Sequence, residues 1–319
     1  MITQKANFEK PKKRWFHRVW VYIVGILLLI GVILTVQFTI DNRKAYDRLA
    51  AYPVHTMNTE FGKMSYMDES SGEPVLISHG IFGGYDQASV SLNQLLSGNY
   101  RKISPSRFGY PGSDLPPEPT PKNQAKAFLE LLDHLSIKRA YILTTSAGGA
   151  AGIQFALQYP DRVKGLILLS SGVPGEKKTR KEITGMMGPP EPLLHDFPMW
   201  LSTKYFGFAL KSMMCSEISS NFYDTMLPVE PRLKGILADE TITNIDMDVN
   251  YDDYPVEKIT SPILVVHAKD DPMAKYEETK KFIARTHPKT ALFENGGHLI
   301  TGHGDAVSVK IKEFIGQTE

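Results

Sequence analysis

The chain has 319 residues, of which 42% are hydrophobic and 22% are charged, and its formal net charge at pH 7 is +1. This composition is typical of a globular protein with room for one large domain or two small ones. The balanced charge gives no reason to expect a nucleic-acid partner. The single cysteine, Cys215, excludes an internal disulfide framework.

Residues 19–40 form a stretch of 22 residues without a charged side chain. A helix of that length spans roughly 33 Å at about 1.5 Å per residue, which is enough to cross the apolar core of a bilayer. A cleaved signal peptide and a buried helix are the alternatives. However, the apolar segment of a signal peptide usually has only about 7–15 residues, and no clear small-x-small cleavage site follows at once. We therefore predict a retained signal-anchor that forms a transmembrane helix.

The orientation of this helix is predicted from the basic residues that flank it. Six precede the apolar stretch and three follow it: Lys5, Lys10, Lys12, Lys13, Arg14 and Arg18, and then Arg43, Lys44 and Arg48. The flank with more basic residues is expected to stay in the cytoplasm. Residues 1–18 are thus predicted to be a cytoplasmic tail. The chain from about residue 41 onward is predicted to be the extracytoplasmic part of a single-pass protein of the cell membrane.

After the predicted membrane helix, residues 41–60 are mixed and polar, which is typical of a stalk or of a short helix that leaves the membrane. Segments that favour strands then alternate with segments of helical spacing. Strands are expected at residues 63–68, 75–78, 102–104, 163–170 and 262–266, and helices at residues 86–97 and 122–135. This alternation predicts an α/β fold with a mostly parallel sheet and helices on both faces, over residues 61–172 and 256–319.

Residues 173–255 interrupt this alternation. An ordinary crossover between parallel strands needs about a dozen residues, so more than eighty residues predict an insertion, most simply a helical cap over the carboxyl edge of the sheet. Seven of the twelve methionines lie in it: Met186, Met187, Met199, Met213, Met214, Met226 and Met247. Methionine side chains adapt their shape, so these residues are expected either to line an apolar substrate pocket or to fill the core of the cap.

Ser146 stands where an apolar, strand-like segment meets small, helix-compatible residues, in the run Thr144-Thr145-Ser146-Ala147-Gly148. This is the layout of a nucleophile elbow, in which a sharp strand-to-helix turn raises one side chain above the sheet. A serine hydroxyl is a poor nucleophile until a base activates it. Ser146 is therefore a candidate nucleophile only if a base and an acid follow in the chain.

A candidate acid and a candidate base do follow, each just past a predicted strand. Asp271 comes first and His298 second, which is the order that a nucleophile elbow requires. Pro272 restricts the backbone beside Asp271 and favours it over its neighbour, Asp270, as the acid. His303 is the alternative base.

The oxyanion of an acyl-transfer intermediate needs backbone N–H donors from two places in such a site. One is the residue after the nucleophile, Ala147. The other is expected in the glycine-containing segment 79–83, where we predict the N–H of Ile81, with Phe82 as the alternative.

The remaining motifs predict neither a metal nor a cofactor. No cluster of histidine, cysteine and acidic residues has the spacing of metal ligands, and no glycine-rich nucleotide motif is present. Three further histidines are expected to organise loops or to be structural: His79, His134 and His267.

Six motifs occur in order along residues 61–172 and 256–317: His79-Gly80-x-x-Gly83, Ser106-Arg-x-Gly-Tyr-x-Gly-Ser113, Ser146-Ala-Gly-Gly149, Tyr159-Pro-Asp-Arg-Val163, His267-x-x-x-Asp271-Pro272 and Gly297-His298. Together they resemble the α/β-hydrolase fold superfamily, in particular its capped serine hydrolases. The resemblance implies that Ser146 attacks an acyl carbonyl, His298 shuttles the proton and Asp271 orients His298. Thr144 departs from the family, which usually has glycine there, and could be accommodated or could distort the elbow.

The sequence thus predicts a membrane-anchored carboxylesterase or lipase-like enzyme that cleaves a small or lipid-like acyl substrate through a Ser-His-Asp triad. Two alternatives stay open. One is a carbon–carbon bond hydrolase, since related capped enzymes use the same residues for that reaction. The other is a degenerate, non-catalytic binding domain, for which Thr144 is the only argument.

Overall fold

The computed structural model describes residues 12–317 except Gln94, Gly185 and Met186. Lys5 and Lys10 of the predicted basic tail, and Met186 of the predicted cap, therefore lie outside the described residues. The chain divides into two compact units, Met1–Lys44 and Ala45–Glu319.

The first unit consists, in its described part, of a single helix that continues into the second unit. This helix, α1 (Lys12–Ala50), has 39 residues and contains the predicted transmembrane segment at 19–40. It is long and apolar enough to cross a membrane, and the side chains of its most apolar stretch are not buried.

Of the two possibilities for residues 41–60, a stalk or a short helix, the first half is helical, and a strand that neither possibility predicts follows it. Helix α1 continues to Ala50, and the first strand, His55–Thr59, belongs to the sheet. Two of the helical residues, Ala45 and Leu49, are buried. The reason is a short hairpin: this strand pairs with the next one across Gly62, whose φ of +106° suits glycine, and Met57 packs against the core. The polar composition of the segment matches a half-exposed edge strand equally well.

The second unit is built on an eight-stranded sheet with the order β1-β2-β4-β3-β5-β6-β7-β8. The first two strand pairings in that order are antiparallel and the other five are parallel. The strands are β1 His55–Thr59, β2 Gly62–Glu69, β3 Glu73–Ser78, β4 Tyr100–Pro105, β5 Ala140–Thr145, β6 Val163–Leu169, β7 Ile263–Ala268 and β8 Lys289–Phe293. The predicted mostly parallel sheet is confirmed.

Both faces of the central strands are buried, which explains why their sequences are continuous apolar runs. On β6, Leu166 and Leu168 face one core cluster, whereas Ile167 and Leu169 face the other. The first cluster includes Phe128 of one helix, and the second includes residues of the C-terminal helix. Helices therefore cover the sheet on both faces, as predicted.

The helices that follow α1 are α2 Tyr85–Leu92, α3 Pro121–His134, α4 Gly149–Gln158, α5 Asp196–Tyr205, α6 Gly207–Met214, α7 Ser220–Thr225, α8 Leu233–Ala238, α9 Asn244–Val249, α10 Tyr276–Thr286 and α11 Gly304–Gly316.

Helices α5 to α9 lie between β6 and β7, in the segment predicted as a cap. A π-helical turn, Asp239–Thr243, joins α8 to α9. Among the described residues of segment 173–255, the regular elements are helices and helical turns. Met199 and Met214 are buried there. The parallel strands β3, β5, β7 and β8 end at one edge of the sheet, where the loops with the predicted site residues begin.

Candidate active site

The turn between β5 and α4 places Ser146 in a strained backbone conformation. Its φ is +49°, in the left-handed region that non-glycine residues seldom adopt. Such a residue costs about 1–3 kcal/mol and persists only where the surroundings hold it. Here the Ser146 N–H donates to the Ser170 carbonyl (3.1 Å), and the Gly172 N–H donates to the Ser146 carbonyl (3.0 Å). The turn is also tight, since a Cβ on Gly148 would lie 2.2 Å from the Ser78 carbonyl oxygen.

Thr144, two residues before Ser146, fits into the elbow without displacing it. Its side chain is fully buried, and its hydroxyl lies 2.6 Å from that of Ser171. Its methyl group points at Gly152 of α4, where an added Cβ would lie only 2.1 Å away. The glycine at this strand–helix contact is therefore Gly152 of the helix, whereas the strand carries Thr144. Ser146 keeps its positive φ.

Ser146, His298 and Asp271 form a continuous chain of hydrogen bonds. The His298 Nε2 lies 3.0 Å from the Ser146 Oγ, and the His298 Nδ1 lies 2.8 Å from the Asp271 Oδ2. Both His298 and Asp271 are buried, at 8% and 4% exposure. A neutral histidine that donates from Nδ1 to a carboxylate has Nε2 free to accept a proton. The structure therefore brings the three predicted residues together in the geometry that nucleophile activation requires.

Asp271 is itself held by the loop that carries it. Its Oδ1 accepts hydrogen bonds from the backbone N–H groups of Met273 (2.8 Å) and Ala274 (3.0 Å). These donors hold the carboxylate in place, with its Oδ2 directed at His298. The turn that Pro272 helps to form thus orients the acid.

The neighbouring Asp270, the alternative acid in the sequence, has a different position. Its carboxylate accepts from the backbone N–H groups of Gly296 (3.2 Å) and Gly297 (2.9 Å), just before His298. Residues 294–303, which join β8 to α11 and carry His298, are called the histidine loop below. Asp270 therefore links this loop to the loop after β7. No motif in the sequence indicates this contact; the adjacency of the two acids is the only feature that points to it.

The helical segment after β6 also contacts the histidine loop. The Ser216 hydroxyl donates to the Gly296 carbonyl (2.8 Å) and accepts from the Leu299 N–H (2.9 Å). A Cβ on Gly297 would lie 2.2 Å from the Cys215 carbonyl oxygen, so only glycine fits at that approach. The position of His298 therefore depends on residues of segment 173–255, which the sequence motifs did not indicate.

The loop predicted to stabilise the oxyanion passes directly beside the nucleophile. A Cβ on Gly80 would lie 3.0 Å from the Ser146 Cβ, tighter than ordinary van der Waals contact, so glycine lets the loop pass this close without displacing the serine. The Gly83 N–H donates to the Gly80 carbonyl (3.2 Å), which closes a tight turn with Ile81 and Phe82 at its centre. Both candidate donors, Ile81 and the alternative Phe82, thus lie in the turn next to Ser146. Ala147, the other predicted donor, follows Ser146 in the first turn of the elbow helix.

The other histidines have partners away from Ser146. The His79 Nδ1 donates to the Gly80 carbonyl (2.7 Å), and its Nε2 accepts from the Arg107 N–H (3.0 Å). Burial lowers the pKa of His79 well below its ordinary value, so it stays neutral at pH 7. The His267 Nε2 donates to the Ala274 carbonyl (2.8 Å), and burial lowers its pKa as well.

His303, the alternative base, stacks on Phe293 with ring centroids 4.4 Å apart, and its Nε2 lies 3.1 Å from the Asn295 Oδ1. His134 is exposed on α3. Within the part of the chain that the structure describes, no group of three or more histidine, cysteine or acidic side chains could hold a metal ion.

Comparison with known proteins agrees with this architecture. The profile of the family described as the alpha/beta hydrolase fold matches residues 73–214. The protein has the α/β-hydrolase fold. An α/β hydrolase fold protein from Nakamurella multipartita superposes with a TM-score of 0.65 at 23% identity, covering 82% of this chain and 98% of that one. A membrane phospholipase A superposes with a TM-score of 0.63 at 15% identity, covering 93% of this chain and 98% of that one.

Curated relatives of this α/β-hydrolase-fold chain include hydrolases and a homoserine O-acetyltransferase from Thermus thermophilus, which is 32% identical over 131 residues, covering 40% of this chain and 33% of the relative. The uncharacterized hydrolase YcgS from Bacillus subtilis is 33% identical over 195 residues, which cover 59% of this chain and 65% of that protein. A 2-hydroxy-6-oxo-6-phenylhexa-2,4-dienoate hydrolase from Burkholderia cepacia is 32% identical over 110 residues, covering 33% of this chain and 38% of the relative. The match thus spans less than two thirds of each relative. These similarities support a hydrolase enzyme.

Proposed function

We propose that the protein is a membrane-anchored serine hydrolase that cleaves an ester-type acyl substrate. The observation that carries this proposal is the hydrogen-bond chain from Ser146 through His298 to Asp271, on an elbow with a positive φ at the serine. Sites of covalent catalysis combine perturbed backbone geometry, a base in contact with a nucleophile and an acid hydrogen-bonded to that base.

The proposed reaction begins when the His298 Nε2 removes the proton from the Ser146 hydroxyl while its oxygen attacks the acyl carbonyl. The Asp271 carboxylate stabilises the imidazolium that forms. The backbone N–H groups of Ile81 and Ala147 donate to the developing oxyanion. His298 then protonates the leaving alkoxide. Water, activated by the same histidine, attacks the acyl-enzyme and releases the acid with Ser146 restored.

Membrane anchoring is the second part of the proposal. The apolar stretch at residues 19–40 lies within one helix that is long enough to cross a bilayer, and the larger number of basic residues before it favours a cytoplasmic N-terminus. The catalytic unit would then work outside the cytoplasm, close to the bilayer surface. We extend the proposal to a lipid-like acyl substrate, because an anchored enzyme meets molecules dissolved in the membrane at high local concentration.

Segment 173–255 is proposed to be a cap domain on the hydrolase core. Its contacts with the histidine loop support this assignment, since Ser216 bridges Gly296 and Leu299. The cluster of Leu210, Met214 and Ile218 packs against Leu299, the residue after His298, and this contact also supports the assignment.

Carbon–carbon bond hydrolysis is the second candidate function. The observation in its favour is the similarity to the dienoate hydrolase from Burkholderia cepacia. The third alternative, a non-catalytic domain, rested on Thr144, and it loses that support because the threonine methyl fits against Gly152.

A fluorophosphonate probe, which reacts covalently with an activated serine, tests the main proposal. The detergent-solubilised protein is expected to be labelled, and Ser146→Ala is expected to abolish labelling. Ser97→Ala removes an exposed serine instead and should leave it unchanged. Absence of labelling in the folded wild-type protein would contradict the proposal. Turnover of p-nitrophenyl esters of increasing chain length, compared with turnover of a vinylogous diketone, separates ester from carbon–carbon bond cleavage.

A further inference from the structure

Two arginines that play no part in the proposed triad are buried beside the oxyanion loop, residues 79–83. Arg107 is 3% exposed and Arg232 is 0% exposed. Burial of a guanidinium is costly unless a carboxylate neutralises it and its N–H groups find acceptors. Each of the two has such a carboxylate, and each also donates to the backbone of the oxyanion loop.

Arg107 follows β4 and holds the first end of the oxyanion loop. Its Nε donates to the His79 carbonyl oxygen (2.9 Å). Its two terminal nitrogens donate to the two carboxylate oxygens of Asp239, both at 2.6 Å. The Tyr110 hydroxyl also donates to Asp239, at 2.6 Å. Asp239 is the first residue of the π-helical turn of the cap.

Arg232 comes from the cap and holds the other end of the oxyanion loop. One terminal nitrogen donates to the Gly83 carbonyl oxygen (2.8 Å), and the other donates to Asp86 in the first turn of α2 (2.7 Å). Gly84 leaves room for it, since a Cβ there would lie 3.0 Å from the Arg232 Nη1. The two ion pairs thus cross the boundary between core and cap in opposite senses: Arg107 reaches out to a cap carboxylate, and Arg232 reaches in to a core carboxylate.

Between the two ion pairs, the cap also contacts the loop after β4 through its backbone. The Gly235 N–H donates to the Gly109 carbonyl (3.0 Å), and a Cβ on Gly235 would lie 2.3 Å from the Tyr110 ring. The segment from Arg232 to Asp239 is therefore seated closely enough to fix the position of both ion pairs.

We propose that Arg107 and Arg232 are positioning residues that hold the oxyanion loop in place through its two terminal carbonyls, and that the cap completes this clamp by supplying Arg232 and Asp239. The inference rests on the proposed serine hydrolase function. Backbone donors stabilise an oxyanion only while they are fixed in place, and a displacement of about 1 Å can lower the rate roughly 100-fold. The clamp acts on the carbonyls that flank the turn with Ile81 and Phe82 and leaves their N–H groups for the substrate.

This arrangement makes the cap part of the catalytic machinery instead of only a cover over the substrate. A change in the cap that moves residues 232–239 would move the oxyanion loop, even with the triad intact. The clamp therefore predicts an effect on kcat, whereas a cap that only lines the substrate pocket would mainly change KM.

The test replaces one ion pair with apolar side chains of similar volume, in the double variant Arg232→Met with Asp86→Leu. Such replacements of a buried pair often preserve folding, whereas removal of one partner leaves an unpaired buried charge. The double variant is expected to unfold at a temperature close to that of wild type. Its kcat for a p-nitrophenyl ester should fall about 10- to 100-fold with KM changed less than threefold, and its affinity for a boronic acid transition-state analogue should fall by the same factor.

The control is an ion pair that does not contact the oxyanion loop. Arg285 of α10 pairs with Glu257, and the double variant Arg285→Met with Glu257→Leu should keep wild-type kcat. If the Arg232/Asp86 variant is unstable, Arg107→Lys gives a second measurement: it keeps a positive charge beside Asp239 but removes the Nε donor to the His79 carbonyl, so kcat should fall in the same direction by a smaller factor. A folded Arg232/Asp86 variant with wild-type kcat would overturn the clamp. Wild-type protein without fluorophosphonate labelling would instead overturn the proposed function, so the two failures are distinguishable.

Discussion

The γ-methyl group of Thr144 occupies the space in which a side chain on Gly152 would lie. An added Cβ at Gly152 would be 2.1 Å from the Thr144 Cγ2, far inside van der Waals contact. The contact between strand β5 and helix α4 therefore has room for only one methyl group, and that group belongs to Thr144. The threonine hydroxyl gains a buried partner in Ser171, 2.6 Å away. Thr144 stands where the family usually has glycine, and Gly152, eight residues later, provides the space for its side chain.

Gly152→Ala is expected to destabilise the protein by about 1–3 kcal/mol, because the new methyl overpacks against Thr144. Thr144→Ser removes the methyl but keeps the hydroxyl for Ser171. In the Thr144→Ser background, Gly152→Ala should be neutral or stabilising, since alanine favours a helix over glycine by about 1 kcal/mol. Urea unfolding of the four proteins measures this coupling as a double-mutant cycle.

A coupling energy near zero in this cycle would contradict the packing between Thr144 and Gly152. Gly316→Ala, near the end of α11, is the control, because an added Cβ there meets no atom within 4 Å. It should show no dependence on residue 144.

The sheet and the positions of the proposed nucleophile, base and acid could be predicted from the sequence because each depends on a local pattern. Buried parallel strands need apolar residues on both faces, as in the run Leu166 to Leu169. The elbow needs small residues around Ser146, and the acid and base follow strand ends in chain order. Asp271 could be separated from Asp270 because a proline follows it.

The rest depends on contacts between distant segments, for which no spacing rule exists. Asp239 lies 132 residues after Arg107, and Arg232 lies 146 residues after Asp86. Irregular helices in segment 173–255 reveal neither pair. The sequence does not predict the first strand, β1, because its alternation is too short and polar to differ from a linker, and only its pairing with β2 identifies it.

Asp271→Asn and Asp270→Asn are expected to lower kcat by very different factors. Loss of the Asp271 carboxylate should leave His298 without the charge that favours its catalytic tautomer, which costs roughly 10⁴-fold in comparable triads. Asp270→Asn retains one acceptor oxygen for Gly296 and Gly297, so the histidine loop should shift only slightly and kcat should fall about 10-fold. Steady-state kinetics with a p-nitrophenyl ester gives both values.

The exposed Asp305 in the first turn of α11 provides the control for these two variants, and Asp305→Asn should keep wild-type kcat. A larger loss for Asp270→Asn than for Asp271→Asn would assign the acid to position 270. If the Asp270→Asn protein keeps wild-type kcat, Asp270 is not needed to hold the histidine loop in its catalytic position.

The free energy of unfolding is expected to fall as the pH is lowered below about 6.5. Burial lowers the pKa of His79 and of His267, so neither binds a proton in the folded protein where an unfolded histidine would. The unfolded chain therefore binds more protons below pH 6.5, and acid favours it by up to about 1.4 kcal/mol per pH unit for each histidine. Urea unfolding in detergent at pH 7.5 and 5.5, followed by tryptophan fluorescence, measures the difference.

His79→Gln should reduce this pH dependence, whereas His134→Gln, at an exposed position, should leave it unchanged. Equal stability at the two pH values would show that the buried histidines take up protons in the folded state.

Cys215 allows a direct test of membrane orientation, because it is the only cysteine in the chain and is exposed. A membrane-impermeant maleimide is expected to label it in intact spheroplasts, since the proposed topology places the cap outside the cytoplasm. Cys215→Ser should abolish labelling. In that background, Thr3→Cys should be labelled only after permeabilisation, because the six basic residues before the apolar stretch are expected to hold the N-terminus inside. Labelling of Cys215 only after permeabilisation, with Thr3→Cys accessible in intact cells, would reverse the orientation and place the proposed site on the cytoplasmic face.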